Sequence, residues 1–113
     1  MQAKIKTIAF SGLDVPDVDV QIQISSGIPA FTIVGLPDKA VAESKERVRA
    51  AFQAIGISFP AKRITINLAP ANLLKEGSHF DLPIAVGILT CMEILPQEEL
   101  SEYIVLGELG LDN

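Results

Sequence analysis

The sequence predicts an α+β fold in a single domain of residues 1–113, with strands first and helices between the later strands. Three patterns support this prediction. Apolar and polar residues alternate over residues 18–24, which is typical of a half-buried strand. Apolar residues recur at helical spacing over residues 41–55, and they run almost unbroken over residues 82–92, which indicates a buried helix. Nearly half of the chain is apolar, enough for one hydrophobic core.

Three strands are predicted in the first third of the chain, at residues 4–10, 18–24 and 30–34. Turn-forming residues separate them, with Gly12 and Pro16 in the first connection and Gly27 in the second. Because short connections join neighbouring strands, we expect an antiparallel start to the sheet. The core-facing side of the second strand consists of Val18, Val20, Ile22 and Ile24.

The first helix is predicted to begin at Asp38, acting as the N-cap, and to run to Ile55 with Gly56 just beyond its end. It is amphipathic. Lys39, Glu43, Glu46 and Gln53 face away from the core. The buried stripe is expected to contain Val41, Ser44, Val48, Ala51, Phe52 and Ile55.

The second half of the chain predicts a strand at residues 63–69, a helix and a last strand at residues 103–106. The helix is expected to open at Asp81, with Pro83 in its first turn, where a missing N–H costs nothing. It is apolar nearly all round, so other elements must cover it on most sides.

Charge is unevenly distributed along a chain whose net charge is −5. Residues 36–63 hold six basic and three acidic side chains, whereas residues 64–113 hold Lys75 against eight acidic ones. An anionic partner would therefore bind the middle of the chain. The acidic Glu98, Glu99 and Glu102 indicate a solvated surface rather than a magnesium site.

Cellular location follows from the apolar segments and the cysteine. No run reaches the roughly 20 residues that span a bilayer, and the N-terminus lacks the apolar region of a signal peptide. A single Cys91 in an apolar stretch is expected to be a buried hydrophobe without a disulfide. We therefore expect a cytoplasmic protein that binds no membrane.

Two classes of site are missing from the sequence. The phosphate-cradling pattern Gly-x-x-x-x-Gly-Lys-Ser/Thr is absent, so the chain is not expected to bind or hydrolyse nucleotide. With one histidine, one cysteine and no ligand spacing, a zinc site is not expected either. The prediction for this chain is a domain without catalytic residues, cofactor or metal.

The segment of residues 74–81 places Lys75, Ser78 and His79 immediately before a helix N-terminus, where amide dipoles favour anions. It is compatible with nucleophilic catalysis, with anion or partner binding, or with a structural start of the helix capped by Asp81. Catalysis is the weakest of these, because adjacent side chains such as Ser78 and His79 usually point apart.

A modest basic patch is the second candidate site, for DNA phosphates or an acidic subunit surface. Lys45 and Arg49 stand four residues apart on the first helix, a like-charge pair that costs a few tenths of a kcal/mol. The ordinary alternative is a solvated face, and aromatic residues are too few for base stacking. The candidate residues are Lys45, Arg47, Arg49, Lys62 and Arg63.

Two stretches resemble the ComM/YifB family of magnesium-chelatase-like AAA+ ATPases. The first is FTIVGLPD at residues 31–38, followed by Ala40-Val41, Glu43-Ser44 and ERVR at residues 46–49. The second is ITINLAPA at residues 64–71, followed by KEGS at residues 75–78 and FDLPIA at residues 80–85. The resemblance covers nearly the whole chain.

The resemblance implies a βαβ two-layer sandwich of the Lon-protease and ribosomal-protein domain-2-like kind, cut before its last elements. It implies an AAA+ module after residue 113 that uses ATP and magnesium, a homohexamer when full length, and DNA branch migration. This chain would be the non-catalytic N-terminal domain, which assembles or positions the motor. The alternatives are a Lon-type Ser/Lys peptidase domain and a small-ligand regulatory module. The peptidase alternative is weakened because His79 stands where the Lon nucleophile would fall.

Overall fold

The computed structural model describes residues 1–8, 17–69, 80–100 and 105. The strands in this part are β1 (Gln2–Ile8), β2 (Asp17–Ser25), β3 (Ala30–Val34) and β4 (Arg63–Ala69). The helices are α1 (Asp38–Ala54), α2 (Asp81–Cys91) and the short α3 (Gln97–Leu100). The strands and the two long helices predicted over these ranges are confirmed. The short helix α3 was not predicted from the sequence. The strand predicted at residues 103–106 lies outside the described residues except for Val105.

The four strands form one mixed sheet in the order β1-β2-β4-β3. β1 pairs antiparallel with β2, and β2 pairs antiparallel with β4. Among the described residues, β3 pairs with β4 alone, and the two strands run parallel. The antiparallel start predicted from the sequence is therefore confirmed for the β1–β2 pair. β3 also runs opposite to β2, but β4 lies between them, so β3 is not the antiparallel neighbour of β2. β3 and β4 run parallel because α1 connects them, and a helical crossover returns the chain in a parallel direction.

The core lies between the sheet and the two long helices. Alternate residues of each strand face the helices, so every strand is apolar on one side and mostly polar on the other. The α+β two-layer fold is thus confirmed, while its assignment to the Lon-protease kind stays a prediction. The strand residues in the core are Ala3, Ile5, Val18, Val20, Ile22, Ile24, Phe31, Ile33, Ile64, Ile66 and Leu68.

Helix α1 differs from its prediction at both ends. Pro37 occupies the N-cap position, without a side-chain cap bond, and Asp38 is the first helical residue. The helix ends at Ala54, and Gly56 follows the cap residue with a φ of 76°, the left-handed conformation expected there. Ile55 was expected in the buried stripe but is 60% exposed, because the helix ends one residue before it. Ser44, Val48 and Phe52 are buried as predicted.

Helix α2 is covered on two sides, as its apolar composition requires. It packs against β1 and β2 and also contacts α1. Gly87 permits the close approach to the sheet, since a Cβ at this position would lie 2.1 Å from Cδ1 of Ile22. The residue at the N-cap position is Phe80, so the prediction that Asp81 caps this helix is wrong. Within the described ranges, no helix combines the length and the apolar character needed to cross a membrane.

Candidate functional site

A buried polar cluster joins the two long helices. Asp81, in the first turn of α2, is completely shielded from solvent, and so is Ser44 of α1. The Ser44 hydroxyl donates to Oδ1 of Asp81 at 2.7 Å. Arg47 donates from Nε to Oδ2 and from Nη2 to Oδ1, the second at 3.3 Å. The carboxylate is therefore held by two donor side chains, which compensates for the loss of its hydration.

Two residues of this cluster have roles that differ from those predicted from the sequence. Asp81 was expected to cap α2, but its oxygens are directed to α1 instead. Arg47 was placed in the basic patch, but it lies against Asp81 and its side chain is only 20% exposed. Its charge is therefore neutralised inside the protein. The sequence contained one relevant signal, since Ser44 and Arg47 are three residues apart and thus on one helix face.

Lys45 and Arg49 occupy a different flank of α1, over an aromatic ring. Nζ of Lys45 lies 5.9 Å from the ring centroid of Phe31, and Cζ of Arg49 lies 5.4 Å from the same centroid. Arg49 also lies over Phe59, at 5.6 Å. Such contacts attract a cation to the negative face of the ring. The structure thus brings together the two cations that the sequence analysis paired, and holds them against β3.

Neither of these cations forms an ion pair with a described carboxylate. Within the described ranges the ion pairs are the exposed Lys4–Asp19 contact and the Arg47–Asp81 contact. Cation–π contacts leave the positive charge uncompensated, because a ring carries no net charge. Lys45 and Arg49 therefore present two positive charges beside the same strand.

The other candidates are not part of this pair. Lys62 and Arg63 are exposed at the start of β4, where the Lys62 carbonyl accepts a hydrogen bond from the Ala30 amide. Because Ile64 faces the helices, Arg63 lies on the opposite face of the sheet. The five residues of the predicted patch are thus separated. Arg47 pairs with Asp81, Lys45 and Arg49 lie on a flank of α1, and Arg63 lies on the far face of the sheet, next to the exposed Lys62. Lys75, Ser78 and His79 lie outside the described residues.

A groove of about 690 Å³ runs between α1 and the outer edge of β3. Thr32 and Ile33 form its strand side, while Val41 and Ala42 supply an apolar floor. Its charged lining is mixed, with Lys45 and Arg49 as cations and Asp38 and Glu46 as anions. Since α1 follows β3 directly and runs back along it, Asp38 lies towards the end of β3 and the two cations towards its start.

Other chemistry-bearing side chains of the described ranges do not form a second site. Cys91 is buried as predicted, and its thiol lies 3.8 Å from the carbonyl oxygen of Ile22. Burial raises the pKa of the Cys91 thiol, which suppresses the reactive thiolate. Among these residues no group of three histidine, cysteine or acidic side chains is placed to hold a metal ion.

Comparison with known proteins gives a consistent family signal. Residues 20–113 match the family model described as subunit ChlI of Mg-chelatase. The chain is 48% identical to the protein YifB of Escherichia coli over 107 residues, which is 95% of the chain and 21% of YifB. It is 48% identical to the competence protein ComM of Haemophilus influenzae over 103 residues, 91% of the chain and 20% of ComM. A Mycobacterium tuberculosis protein is 43% identical over 106 residues, 94% of the chain and 21% of that protein. The chain spans about a fifth of the length of these relatives.

Proposed function

Because the chain belongs to the ChlI family of magnesium-chelatase-like proteins, we propose that it is a non-catalytic N-terminal domain of an ATP-dependent motor. Its role is to help assemble or position that motor on DNA. The relative ComM is named a competence protein, which favours a task in DNA handling over insertion of magnesium into a porphyrin.

The observation that carries this proposal is the separation of the charged side chains into a buried cluster and a surface pair. Asp81, Arg47 and Ser44 hold the two helices together in a buried cluster, while Lys45 and Arg49 lie on another flank of α1, over the ring of Phe31. An arrangement of this kind suits a rigid scaffold with a charged contact surface. The sequence also lacks the loop that cradles nucleotide phosphates.

The rest of the motor would supply the chemistry. In this proposal an AAA+ module of the full-length protein binds ATP and magnesium, assembles as a homohexamer in the cytoplasm and drives branch migration of DNA. The domain described by this chain contacts its own AAA+ module. A ring would repeat any weak contact of the domain several times, so that affinity is gained by avidity.

The experiment compares the full-length protein with a version that lacks residues 1–113. We expect the shortened protein to retain basal ATP hydrolysis, because the nucleotide site lies elsewhere, and to lose hexamer assembly or DNA strand displacement. Sedimentation, ATP turnover and a strand-displacement assay measure these quantities separately. An unchanged assembly and an unchanged displacement rate would show that the domain has no accessory role.

Two measurements on the chain itself separate this function from its alternatives. Calorimetry with ATP and magnesium is expected to show no specific binding, and a micromolar dissociation constant would overturn the accessory role. Incubation with unfolded casein is expected to give no cleavage. A product that disappears in a Ser78→Ala variant would establish the Lon-type peptidase instead.

A further inference from the structure

The two edges of the sheet differ in whether their backbone hydrogen-bonding groups have partners among the described residues. On the outer edge of β1, the Gln97 side chain donates from Nε2 to the Lys4 carbonyl and accepts from the Lys4 amide, both at 2.9 Å. The Val105 amide donates to the Lys6 carbonyl at 2.8 Å. Residues from a later part of the chain therefore use the hydrogen-bonding groups of this edge, which is how proteins prevent unwanted strand pairing.

The outer edge of β3 has no such cover among the described residues. The Ala30 amide donates inward to Lys62 of β4. Because peptide groups alternate in direction along a strand, those of Thr32 and Val34 also point to β4. The amides and carbonyls of Phe31 and Ile33 consequently point outward, where they are available to a further strand.

The uncompensated charges lie beside this open edge. Lys45 and Arg49 lie over Phe31, so both cations are placed near the first half of β3. Asp38, at the start of α1, lies towards the other end of the groove, whereas Glu46 lies between Lys45 and Arg49 along the helix. An added strand would thus meet positive charge at the Phe31 end and negative charge towards the Val34 end.

We propose that the outer edge of β3 binds an extended segment of a partner protein as an added strand, with acidic side chains at its Phe31 end. Backbone hydrogen bonds to Phe31 and Ile33 would provide affinity, and the carboxylates meeting Lys45 and Arg49 would provide specificity. This interaction is independent of the proposed motor role, because it requires only this domain.

A second copy of the chain is the rival occupant. If two β3 strands paired antiparallel about Thr32, Phe31 of one copy would lie opposite Ile33 of the other, away from the second Phe31. A dimer of the free chain in sedimentation would therefore overturn the proposal. A neutral or basic segment of a partner would leave Lys45 and Arg49 without an opposite charge.

Nucleic acid is disfavoured by the open backbone groups and by the distribution of cations. A phosphate chain has no amide to donate to the carbonyls of Phe31 and Ile33. Arg63 lies on the other face of the sheet and Arg47 is paired with Asp81, so neither extends the Lys45 and Arg49 pair into a track for phosphates.

Fluorescence anisotropy with a labelled, end-blocked heptapeptide of alternating valine and glutamate tests the proposal. Two control peptides carry glutamine in place of glutamate, or N-methyl groups on alternate residues. Both are expected to bind about tenfold more weakly, the first through loss of charge and the second through loss of backbone pairing. Equal binding of either control would overturn the proposal.

Matched variants of the chain locate the site. Lys45→Glu with Arg49→Glu should weaken binding of the valine-glutamate peptide about tenfold, whereas Lys62→Glu with Arg63→Glu makes the same change in net charge and should have less than about a twofold effect. Circular dichroism checks that both variants are folded. Equal losses in the two variants would show non-specific attraction and contradict the assignment.

Hydrogen exchange of the Phe31 and Ile33 amides gives a direct readout of the edge. Both should exchange rapidly in the chain alone and become protected when the peptide is added. Protection without peptide would mean that the edge is already covered, which overturns the proposal. A thymidine 12-mer that protects these amides as well as the peptide does would assign the surface to nucleic acid instead.

Discussion

At the scale of single residues, Asp81 shows how a buried charge is compensated by side chains of another helix. Its carboxylate accepts hydrogen bonds from Ser44 and Arg47 of the other helix. Burying an isolated carboxylate would be costly, but a paired and hydrogen-bonded one is tolerated. The cost of breaking such a pair is large because a largely buried charge loses the opposite charge beside it.

We predict that Asp81→Asn lowers the free energy of unfolding by about 2–4 kcal/mol. The amide keeps the size of the side chain but removes the negative charge opposite Arg47. Urea denaturation followed by circular dichroism measures the loss. Asp19→Asn is the matched control, because Asp19 pairs with Lys4 on the surface and should contribute less than about 1 kcal/mol.

The comparison between these two aspartates is decisive. If both substitutions cost the same small amount, Arg47 does not depend on Asp81 for compensation and the buried cluster is not a structural link. A change in the slope of the denaturation curve would instead indicate an altered unfolded or native state.

At the scale of elements, α2 depends on a missing side chain to reach the sheet. A Cβ at Gly87 would lie 2.1 Å from Cδ1 and 2.7 Å from Cγ1 of Ile22, and 3.3 Å from Cγ1 of Ile5. Ile5 and Ile22 are both buried, so they have little space to move away. The glycine therefore sets the distance between α2 and the β1–β2 pair.

Gly87→Ala is expected to destabilise the protein by up to about 2 kcal/mol in denaturant unfolding. The overpacking term of about 1–3 kcal/mol exceeds the helix-propensity gain of about 1 kcal/mol. Adding Ile22→Val removes Cδ1, the nearer of the two clashing carbons, and leaves Cγ1 in place. The double variant should therefore be more stable than the sum of the single effects predicts. Strict additivity would show that Cδ1 of Ile22 is not the obstacle.

Helix α1 uses its charged residues on two flanks. Arg47 is directed to α2 and is neutralised there, whereas Lys45 and Arg49 lie over Phe31 at the edge of the sheet. A separation of two residues along a helix is enough to place side chains on different flanks, since each residue turns the helix by about 100°. The same helix therefore holds the fold together and presents the candidate contact surface.

At the scale of the whole molecule, the charge distribution argues for weak DNA binding by this domain alone. The net charge is −5, and Arg63 is on the opposite side of the sheet from Lys45 and Arg49. With so few cations on one face, the dissociation constant for duplex DNA should be about 10⁻⁴ M or weaker near physiological salt, and binding should strengthen at low salt. Anisotropy of a labelled duplex across a salt series measures both.

A micromolar dissociation constant at physiological salt would contradict this prediction and make the domain itself a DNA-binding module. In the full-length protein, Lys45→Glu with Arg49→Glu tests a phosphate contact directly. A loss of DNA-stimulated ATP hydrolysis that shrinks as salt rises would support such a contact. Unchanged stimulation across the series would leave the pair to protein partners.

Periodicity along the chain was sufficient to predict the four strands and the two long helices of the described fold, and its α+β class. Alternation in β2 and the helical spacing in α1 are local patterns that depend only on which face of an element is buried. The family resemblance was likewise readable from two short stretches and agrees with the ChlI match over residues 20–113. Lys45 and Arg49 could also be paired from the sequence, because four residues on a helix bring side chains together.

Only the tertiary structure decided which distant residues meet. Asp81 is separated by 37 residues from Ser44 and by 34 from Arg47, so no local rule could reveal that it joins α1 rather than capping α2. The insertion of β4 between β2 and β3 likewise depends on how α1 crosses the sheet. Within the described part of the chain, that insertion makes β3 an edge strand and places Lys45 and Arg49 beside its outward-facing peptide groups. Local pattern determines an element, whereas its neighbours are selected by packing of the whole chain, because burial is shared among residues far apart in sequence.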